Sequence, residues 1–281
     1  MSQDWGAGLR LGVVGHPVEH SRSPRIHELF AKQFGLPLEY PLFDVLPADF
    51  AAFVKHREEA HQSGMNVTLP HKQAAHALCE VLTDRAWQAG AVNTLWWEGH
   101  VLHGDNTDGI GLVRDLTLHQ GVELKGKRIM VVGAGGACRG ILGPLLNAGV
   151  SSIIISNRST DRARALAEVF AEEGELGWCG LEQAHQHSVD LLINATSCGH
   201  RGSFPELSGD LVGADTVCYD LSYGPAALPF LDWATKNGAR MAVDGLGMLV
   251  EQAAESFHTW TGLKPDTKAV LGTLREESLR S

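Results

Sequence analysis

The chain has 281 residues, of which 44% are hydrophobic, and this is enough for two modest globular domains or one large domain. Its 23 basic and 33 acidic residues give a formal net charge of −10, and this acidic balance argues against a nucleic acid or an anionic membrane as a partner. The amino terminus lacks a basic segment followed by a long apolar core, and no apolar run is long enough to cross a bilayer. The five cysteines are scattered without C-x-x-C spacing. We therefore expect reduced thiols in a cytoplasmic protein, without disulfides or a zinc site.

The first predicted junction between a strand and a helix carries two serines. Leu9–Gly15 is a short apolar run that predicts a strand, and Arg25–Phe34 has helical spacing. Ser23 is a favourable N-cap and Pro24 a favourable first helical residue. Ser21 and Ser23 would then lie beyond the carboxyl end of a strand, where open α/β sheets bind ligands. The alternative is that both serines only cap the helix.

A lysine follows the predicted strand Gly64–Pro70. Side chains alternate along a strand, so Asn66 and Thr68 share one side of it. Lys72 then lies between the end of this strand and the start of a helix. A lysine in such a place is commonly solvated, but its position beside Asn66 and Thr68 favours a functional cation. The other predicted elements of this half are a strand at Tyr40–Val45, a helix at Pro47–Glu59, a helix capped by Thr83, and a hairpin of Gly90–Trp97 with Val101–Gly104.

Two aspartates lie in the loop GDNTDG, Gly104–Gly109. No glutamate follows at the spacing of an EF-hand, so calcium binding is not predicted, and we predict no other metal. Asx hydrogen bonds within a turn explain this composition. The alternative is that Asp108 is a carboxylate that points into a cleft.

The second half of the chain opens with a glycine loop. The apolar run Ile129–Val132 predicts a strand, and the chain then continues through Gly133 and Gly135 into a predicted helix. Such a turn lets the backbone approach a pyrophosphate at a helix amino terminus. The third position of the G-x-G-x-x-G pattern is Cys138, which is small enough for close packing of helix and strand. A strand, loop and helix that bind no nucleotide are the alternative.

The end of the next predicted strand, Ser152–Ser156, indicates which dinucleotide binds. NAD-binding units place an acidic residue there to bind the ribose hydroxyls. Here Asn157-Arg158-Ser159 follows the strand and Arg162 comes three residues later. Guanidinium groups suit a 2′-phosphate, so the sequence favours NADP(H) over NAD(H). The alternative is that Arg158 and Arg162 are solvated residues of a helix.

Strands alternate with helices on both sides of the predicted linking helix Ile110–His119, which indicates parallel, doubly wound sheets. We predict two α/β domains with a cleft between them. Residues 1–110 would form an N-terminal substrate domain, completed by C-terminal helices at 245–281. Residues 111–244 would form a Rossmann-type NADP-binding domain. The further strands predicted there are Val189–Asn194, Thr216–Leu221 and Arg240–Val243, the helices are Ala163–Phe170 and Phe230–Asn237, and a last helix opens near Asp244.

Eight blocks in this chain resemble the shikimate dehydrogenases in sequence and in order. They are SRSP (Ser21–Pro24), NVTLPHK (Asn66–Lys72), AVNT (Ala91–Thr94), GDNTDG (Gly104–Gly109), GAGGA (Gly133–Ala137), NRS (Asn157–Ser159), NATS (Asn194–Ser197) and DGLGMLVEQ (Asp244–Gln252). The resemblance implies reversible, NADP-dependent reduction of 3-dehydroshikimate to shikimate in aromatic amino-acid biosynthesis.

The resemblance also implies a role for each matching position. Lys72 and Asp108 would form the catalytic pair, and both would contact the substrate. Ser21 and Ser23 would bind the substrate carboxylate with Tyr223 nearby, and Thr68, Asn93, Asp108 and Gln252 would hold the ring hydroxyls. Gly133, Ala134, Gly135, Gly136 and Ala137 would cradle the pyrophosphate, Asn157, Arg158, Ser159 and Arg162 would bind the 2′-phosphate, and Asp84, Thr196, Leu221 and Gly245 would line the nicotinamide end.

Two other functions remain open on the sequence. A quinate/shikimate dehydrogenase would accept the quinate ring and often NAD, and the absence of an acidic residue at the end of the second strand argues against it. A cofactor-sensing protein without catalysis is the second alternative, and the presence of both Lys72 and Asp108 speaks against it. The family resemblance allows either a monomer or a homodimer.

Overall fold

The fold is described from a computed structural model that covers residues 8–59 and 62–280. The chain forms two compact units. The first ends at Gly111 and resumes at Leu249, and the second is Leu112–Met248. Within the described residues, no helix combines the length and apolar character that crossing a membrane requires.

The first unit is built on a six-stranded mixed sheet. The strands of this unit are β1 (Leu9–Arg10), β2 (Val13–Gly15), β3 (Leu38–Glu39), β4 (Leu42–Asp44), β5 (Gly64–Val67), β6 (Val81–Leu82), β7 (Thr94–Glu98) and β8 (Val101–Asp105). Its helices are α1 (Ser23–Gln33), α2 (Phe50–Glu59), α3 (Lys72–Leu78), α4 (Asp84–Ala89) and α5 (Asp108–Arg114). The sheet order is β4-β2-β5-β7-β8-β6, and β1 pairs with β3 in a separate two-stranded sheet. β7 runs antiparallel to both of its neighbours, so the predicted parallel sheet holds for only part of this unit.

The core of the first unit lies between this sheet and the helices on it. Val14, Met65 and Leu95 come from three adjacent strands and pack with Phe50 and Val54 of α2. All five side chains are buried. Burying one such side chain contributes roughly 1.5–3 kcal/mol, so the packing of α2 on the sheet stabilises both elements. These contacts fix the strand ends from which the candidate site residues project.

The second unit is a parallel, doubly wound sheet, as predicted. Its strands are β9 (Arg128–Val132), β10 (Ser152–Ser156), β11 (Leu176–Cys179), β12 (Leu191–Asn194), β13 (Val217–Asp220) and β14 (Met241–Val243), and its helices are α6 (Gly136–Asn147), α7 (Thr160–Val169) and α8 (Leu228–Lys236). The sheet order is β11-β10-β9-β12-β13-β14, all parallel, and this is the Rossmann arrangement. The chain then continues into α9 (Leu246–Thr261) and α10 (Thr267–Arg280).

The first strand of the second unit, β9, shows why this sheet is covered on both faces. Ile129 and Val131 belong to one apolar cluster, and Met130 and Val132 belong to another. Because side chains alternate along a strand, an unbroken apolar run buries residues on both faces of the sheet. The glycine loop after Val132 is therefore held by a strand that cannot shift without exposing two cores.

Other predicted elements also differ from the structure, and the run Leu9–Gly15, predicted as one strand, forms β1 and β2 in two separate sheets. The single strand predicted at Tyr40–Val45 is shorter, because Pro41 has no N–H for a ladder and separates β3 from β4. The strand β11 was not predicted, since Gly177 and a partly exposed Trp178 interrupt any regular pattern at this sheet edge. The predicted linking helix consists of α5 followed by a π-helical turn, Asp115–His119.

Candidate active site

Lys72 and Asp108 form an ion pair in the first unit. Lys72 is the first residue of α3, and Asp108 is the first residue of α5. The Lys72 Nζ donates to Asp108 Oδ2 at 2.5 Å, and the two side chains are 14% and 6% exposed. Because water reaches neither group freely, their attraction is screened far less than that of a surface pair. The carboxylate therefore fixes the direction of the ammonium group.

Asn93 connects this pair to helix α9. Its Nδ2 lies 2.8 Å from Asp108 Oδ1 and 3.1 Å from Gln252 Oε1. Its Oδ1 accepts the Thr107 N–H at 2.9 Å and the Thr94 hydroxyl at 2.8 Å. Asn93 and Gln252 are both buried. A buried amide whose hydrogen bonds are all made has one low-energy orientation, so Asn93 holds Asp108 and Gln252 in place.

Ser21, Ser23 and Thr68 follow the carboxyl ends of two parallel strands. β2 and β5 are parallel neighbours, and a Cβ added to Gly15 would lie only 2.4 Å from Thr68 Cγ2. The prediction that Ser23 caps α1 is wrong, because the helix begins at Ser23 and its N-cap is Arg22. The Ser21 Oγ accepts the Ser23 N–H at 3.3 Å. The two serines thus share one turn at a ligand-binding edge of the sheet.

The glycine loop has the geometry of a phosphate cradle. Gly133 has φ +112°, and a Cβ there would lie 3.1 Å from the Ala195 carbonyl, so this position requires glycine. A Cβ on Gly135 would meet open space, directly before the first residue of α6. The space and the free N–H groups of the helix start fit a pyrophosphate. Cys138 is fully buried in the adjacent core, and burial raises the pKa of its thiol to about 12. It packs as a small apolar residue.

The residues expected at the 2′-phosphate lie at the end of β10. The Asn157 Nδ2 donates to the Ser159 carbonyl at 3.0 Å, which shapes the turn into α7. Arg158 and Arg162 are exposed. Asp161, which precedes Arg162 in the chain, accepts a hydrogen bond at 3.4 Å from Arg164, about one turn further along α7. Both guanidinium groups are therefore available to an anion.

Asn194 connects Thr196, which is expected at the nicotinamide end, to Asp220. Its Oδ1 accepts the Thr196 hydroxyl at 2.8 Å, and its Nδ2 donates to Asp220 Oδ2 at 2.8 Å. Burial raises the pKa of Asp220 to about 6, although hydrogen bonds from neighbouring groups act in the opposite direction. A Cβ added to Gly245 would lie 2.4 Å from the Leu221 carbonyl, so Gly245 has to be glycine for this close approach.

Asp84 and Tyr223 each lie in a different unit from the other residues to which the family resemblance assigns the same ligand. Asp84, expected near the nicotinamide, is the exposed first residue of α4 in the first unit. Tyr223, expected near the substrate carboxylate, follows β13 in the second unit. Their grouping with the other site residues stays a prediction.

Three hydroxyl groups of the buried network around Asn93 were not predicted as site residues, namely those of Thr94, Thr107 and Ser256. The Ser256 Oγ lies 2.7 Å from Thr94 Oγ1 and 3.2 Å from Thr107 Oγ1. Ser256 comes four residues after Gln252, and this spacing places both on one face of α9. That spacing was the signal available in the sequence. Asn66 also belongs to this network, with its Nδ2 3.1 Å from Ser256 Oγ.

A Rossmann sheet with a glycine loop is typical of proteins that bind a nicotinamide nucleotide, and the largely buried lysine–aspartate pair suits the proton transfer of an oxidoreductase. The chain is 47% identical over 268 residues to a protein of Alkalilimnicola ehrlichii named shikimate dehydrogenase (NADP(+)), and the alignment covers 95% of this chain and 99% of that protein. The chain therefore belongs to the shikimate dehydrogenase family.

Family models and solved structures agree with this assignment. Models described as the shikimate dehydrogenase substrate binding domain, shikimate / quinate 5-dehydrogenase and the shikimate 5'-dehydrogenase C-terminal domain match residues 13–95, 115–201 and 245–275. A crystal structure of an Ael1 enzyme from Pseudomonas putida superposes with a TM-score of 0.87 at 40% identity, covering 95% of this chain and 98% of that one. The shikimate 5-dehydrogenase of Thermus thermophilus, solved with NADP(H) and shikimate, gives a TM-score of 0.84 at 35% identity, covering 95% and 99%.

Proposed function

We propose that Lys72 and Asp108 carry the reversible, NADP-dependent interconversion of 3-dehydroshikimate and shikimate. The observation that carries this proposal is their largely buried ion pair, held in place by Asn93. The relatives that match nearly the whole chain bear the name of this activity. The proposed product serves aromatic amino-acid biosynthesis.

The chemistry explains why a lysine and an aspartate are needed. NADP(H) supplies or accepts the hydride. A carbonyl that receives hydride becomes an alkoxide, which needs a proton or a nearby cation. The Lys72 ammonium can supply either, and Asp108 keeps it directed at one point. When the ammonium donates its proton, Lys72 becomes a neutral amine. In the oxidative direction this neutral amine receives the proton of the substrate hydroxyl, and the ion pair with Asp108 forms again.

The remaining polar groups of the first unit suit a hydroxylated ring with a carboxylate. Ser21 and Ser23 bind the carboxylate, and the family resemblance also assigns Tyr223 to this role. Thr68, Asn93 and Gln252 hold the ring hydroxyls. The amide groups of Asn93 and Gln252 are already fixed by buried hydrogen bonds, so little side-chain entropy is lost when the ring binds.

The second unit binds the cofactor. The backbone of Gly133–Ala137 cradles the pyrophosphate, the turn after β10 binds the 2′-phosphate, and Thr196, Leu221 and Gly245 line the nicotinamide end, to which the family resemblance also assigns Asp84. The support for the first part is the open space at Gly135 beside the start of α6. We accordingly assign residues 1–110 with 245–281 to the substrate domain and 111–244 to the NADP domain. We expect a cytoplasmic enzyme that is a monomer or a homodimer.

Four assays test the proposed function. NADPH oxidation is measured with 3-dehydroshikimate and with 3-dehydroquinate, and both are repeated with NADH. We expect fast turnover only with 3-dehydroshikimate and NADPH. Comparable rates with 3-dehydroquinate or NADH would favour a broader quinate/shikimate dehydrogenase, and no turnover of any combination would overturn the proposal.

A further inference from the structure

A cluster of charged side chains lies outside the residues described so far. Asp105, the last residue of β8, is 2% exposed. Arg85 grips its carboxylate at two points, with Nε 2.7 Å from Oδ1 and Nη2 2.5 Å from Oδ2. The same Nη2 lies 3.2 Å from Glu255 Oε1 on α9. One guanidinium therefore joins two carboxylates from different parts of the first unit.

The first carboxylate is connected to Asp108 through the backbone of the loop. The Asp105 Oδ1 accepts the Asn106 N–H at 2.7 Å, and the Asn106 Oδ1 accepts the Asp108 N–H at 3.1 Å. The Asn106 Nδ2 donates to the Ala91 carbonyl at 2.9 Å, close in the chain to Asn93. A shift of Asp105 would therefore be transmitted to the start of α5, which carries Asp108.

The second carboxylate is connected to Gln252. Glu255 follows Gln252 by three residues on α9, so the two lie about one turn apart on neighbouring faces. Arg85 itself follows Asp84 in α4. The Arg85 guanidinium on α4 thus contacts β8, which leads into the loop before Asp108, and α9, which carries Gln252.

The ion pair between Arg85 and Asp105 is strong, and it depends on the two-point geometry of the guanidinium. Burial lowers the pKa of Arg85, but hydrogen bonds and charges from Asp105 and Glu255 outweigh it and raise the pKa above the ordinary value of arginine. The Thr83 hydroxyl also donates to Asp105 Oδ1 at 2.6 Å while it caps α4. Lysine offers a single point charge and cannot reproduce the two-point contact of a guanidinium.

We propose that Arg85 is a positioning residue for the reaction, because it holds Asp105 and Glu255 so that Asp108 and Gln252 keep their productive places. It acts through these residues and need not touch substrate. The inference rests on the proposed function, since it concerns the geometry of the same lysine–aspartate pair. Small displacements of catalytic groups reduce the rate of the chemical step more than they reduce binding.

The test compares Arg85→Lys with a matched control, Arg128→Lys. Arg128 makes a similar two-point contact to Asp190 at 3.1 Å for each bond, but on the exposed side of the second unit. We measure kcat, both KM values and the primary isotope effect on kcat with NADPH deuterated at the transferred position. For Arg85→Lys we expect a kcat about tenfold lower and a KM for NADPH within about twofold of the wild type. We also expect a larger isotope effect, because slower hydride transfer becomes more rate-limiting in the variant than in the wild type. Arg128→Lys should match the wild type in all four.

The isotope effect separates positioning from a loss of folded enzyme. Fewer active molecules would lower kcat and leave the isotope effect unchanged, and this result would overturn the proposal, as would a wild-type kcat. If Arg85→Lys does not fold, Glu255→Ala decides, because it leaves the Arg85–Asp105 contact intact. We expect it to raise the KM for 3-dehydroshikimate severalfold, and an unchanged KM would contradict the proposal. A wild-type enzyme without shikimate-dependent turnover would instead mean that the proposed function has failed.

Discussion

The two units arrange their candidate ligand-binding groups in different ways. In the first, the candidate site residues Lys72, Asn93, Asp108 and Gln252 are bonded to one another and largely buried. In the second, the glycine loop borders open space and the guanidinium groups of the 2′-phosphate turn are exposed. In the unit proposed to perform the chemistry, hydrogen bonds between side chains already hold the site in place. In the unit proposed to bind the cofactor, the N–H and guanidinium groups are open to solvent and would bind the phosphates of the cofactor. Substitutions in the first should change the chemical step, and substitutions in the second should change binding.

The largest expected effect is that of Lys72→Ala. Removing the ammonium leaves the developing alkoxide without a proton donor or a cation, so kcat should fall by about 10²–10⁴ with small changes in both KM values. Steady-state kinetics in both directions measure this. Lys55→Ala, on the exposed face of α2, is the control and should retain full activity. An unchanged kcat for Lys72→Ala would remove the proposed role.

Arg158→Asp tests the expectation that substitutions in the second unit change cofactor binding. A charge-assisted pair with the 2′-phosphate would be replaced by repulsion, so the Kd for NADPH should rise by about 10–100-fold while the Kd for NADH changes by less than about threefold. Fluorescence titration of each nucleotide measures both values. Arg164→Asp, an exposed arginine within α7, is the matched control. Equal weakening of NADPH and NADH would refute the assignment to the 2′-phosphate.

The smallest expected effect concerns stability, at Asp220. Burial raises the pKa of this carboxyl to about 6 from an ordinary 3.8. Between these pH values the folded state binds more protons than the unfolded state, so stability is lost as the pH rises through this window. Asp220→Asn removes this loss. The unfolding free energy of the variant relative to the wild type should therefore be higher at pH 7 than at pH 4, by about 1–3 kcal/mol.

A control of opposite sign is available for this pH dependence. Hydrogen bonding by Arg128 lowers the pKa of Asp190, so its contribution is lost as the pH falls. Urea unfolding of Asp190→Asn should therefore show its larger deficit at pH 7. If the difference between Asp220→Asn and the wild type does not depend on pH, the raised pKa of Asp220 is wrong.

The sequence predicted the second unit better than the first. The run Ile129–Val132 and the glycines after it follow from local pattern, since a parallel strand buried on both faces reads as an unbroken apolar run. The sequence does not predict the strand β11, because an edge strand with Gly177 and Trp178 has no such pattern. In the first unit, the hairpin of β7 and β8 was predicted, but pairing of β7 with β5 depends on tertiary contacts that no local pattern encodes.

The candidate site shows the same division. Lys72 and Asp108 are 36 residues apart, and only their matching family blocks grouped them before the structure placed Nζ and Oδ2 together. The Asn93 network and the grip of Arg85 on Asp105 were not predicted, because polar residues near strand ends look alike whether they are solvated or buried. Which of them are buried is decided by long-range packing, here mainly by α9 against the sheet.

The central claim is that Lys72 and Asp108 act as one preorganised unit, and a double-mutant cycle on kcat tests it most directly. Lys72→Ala, Asp108→Asn and the double variant are compared with the wild type in the reduction of 3-dehydroshikimate by NADPH. Residues that act together are strongly non-additive, so the double variant should be no slower than the slower single variant by more than about threefold. Rate losses that multiply in the double variant would contradict the account, because they would mean that the two side chains contribute independently.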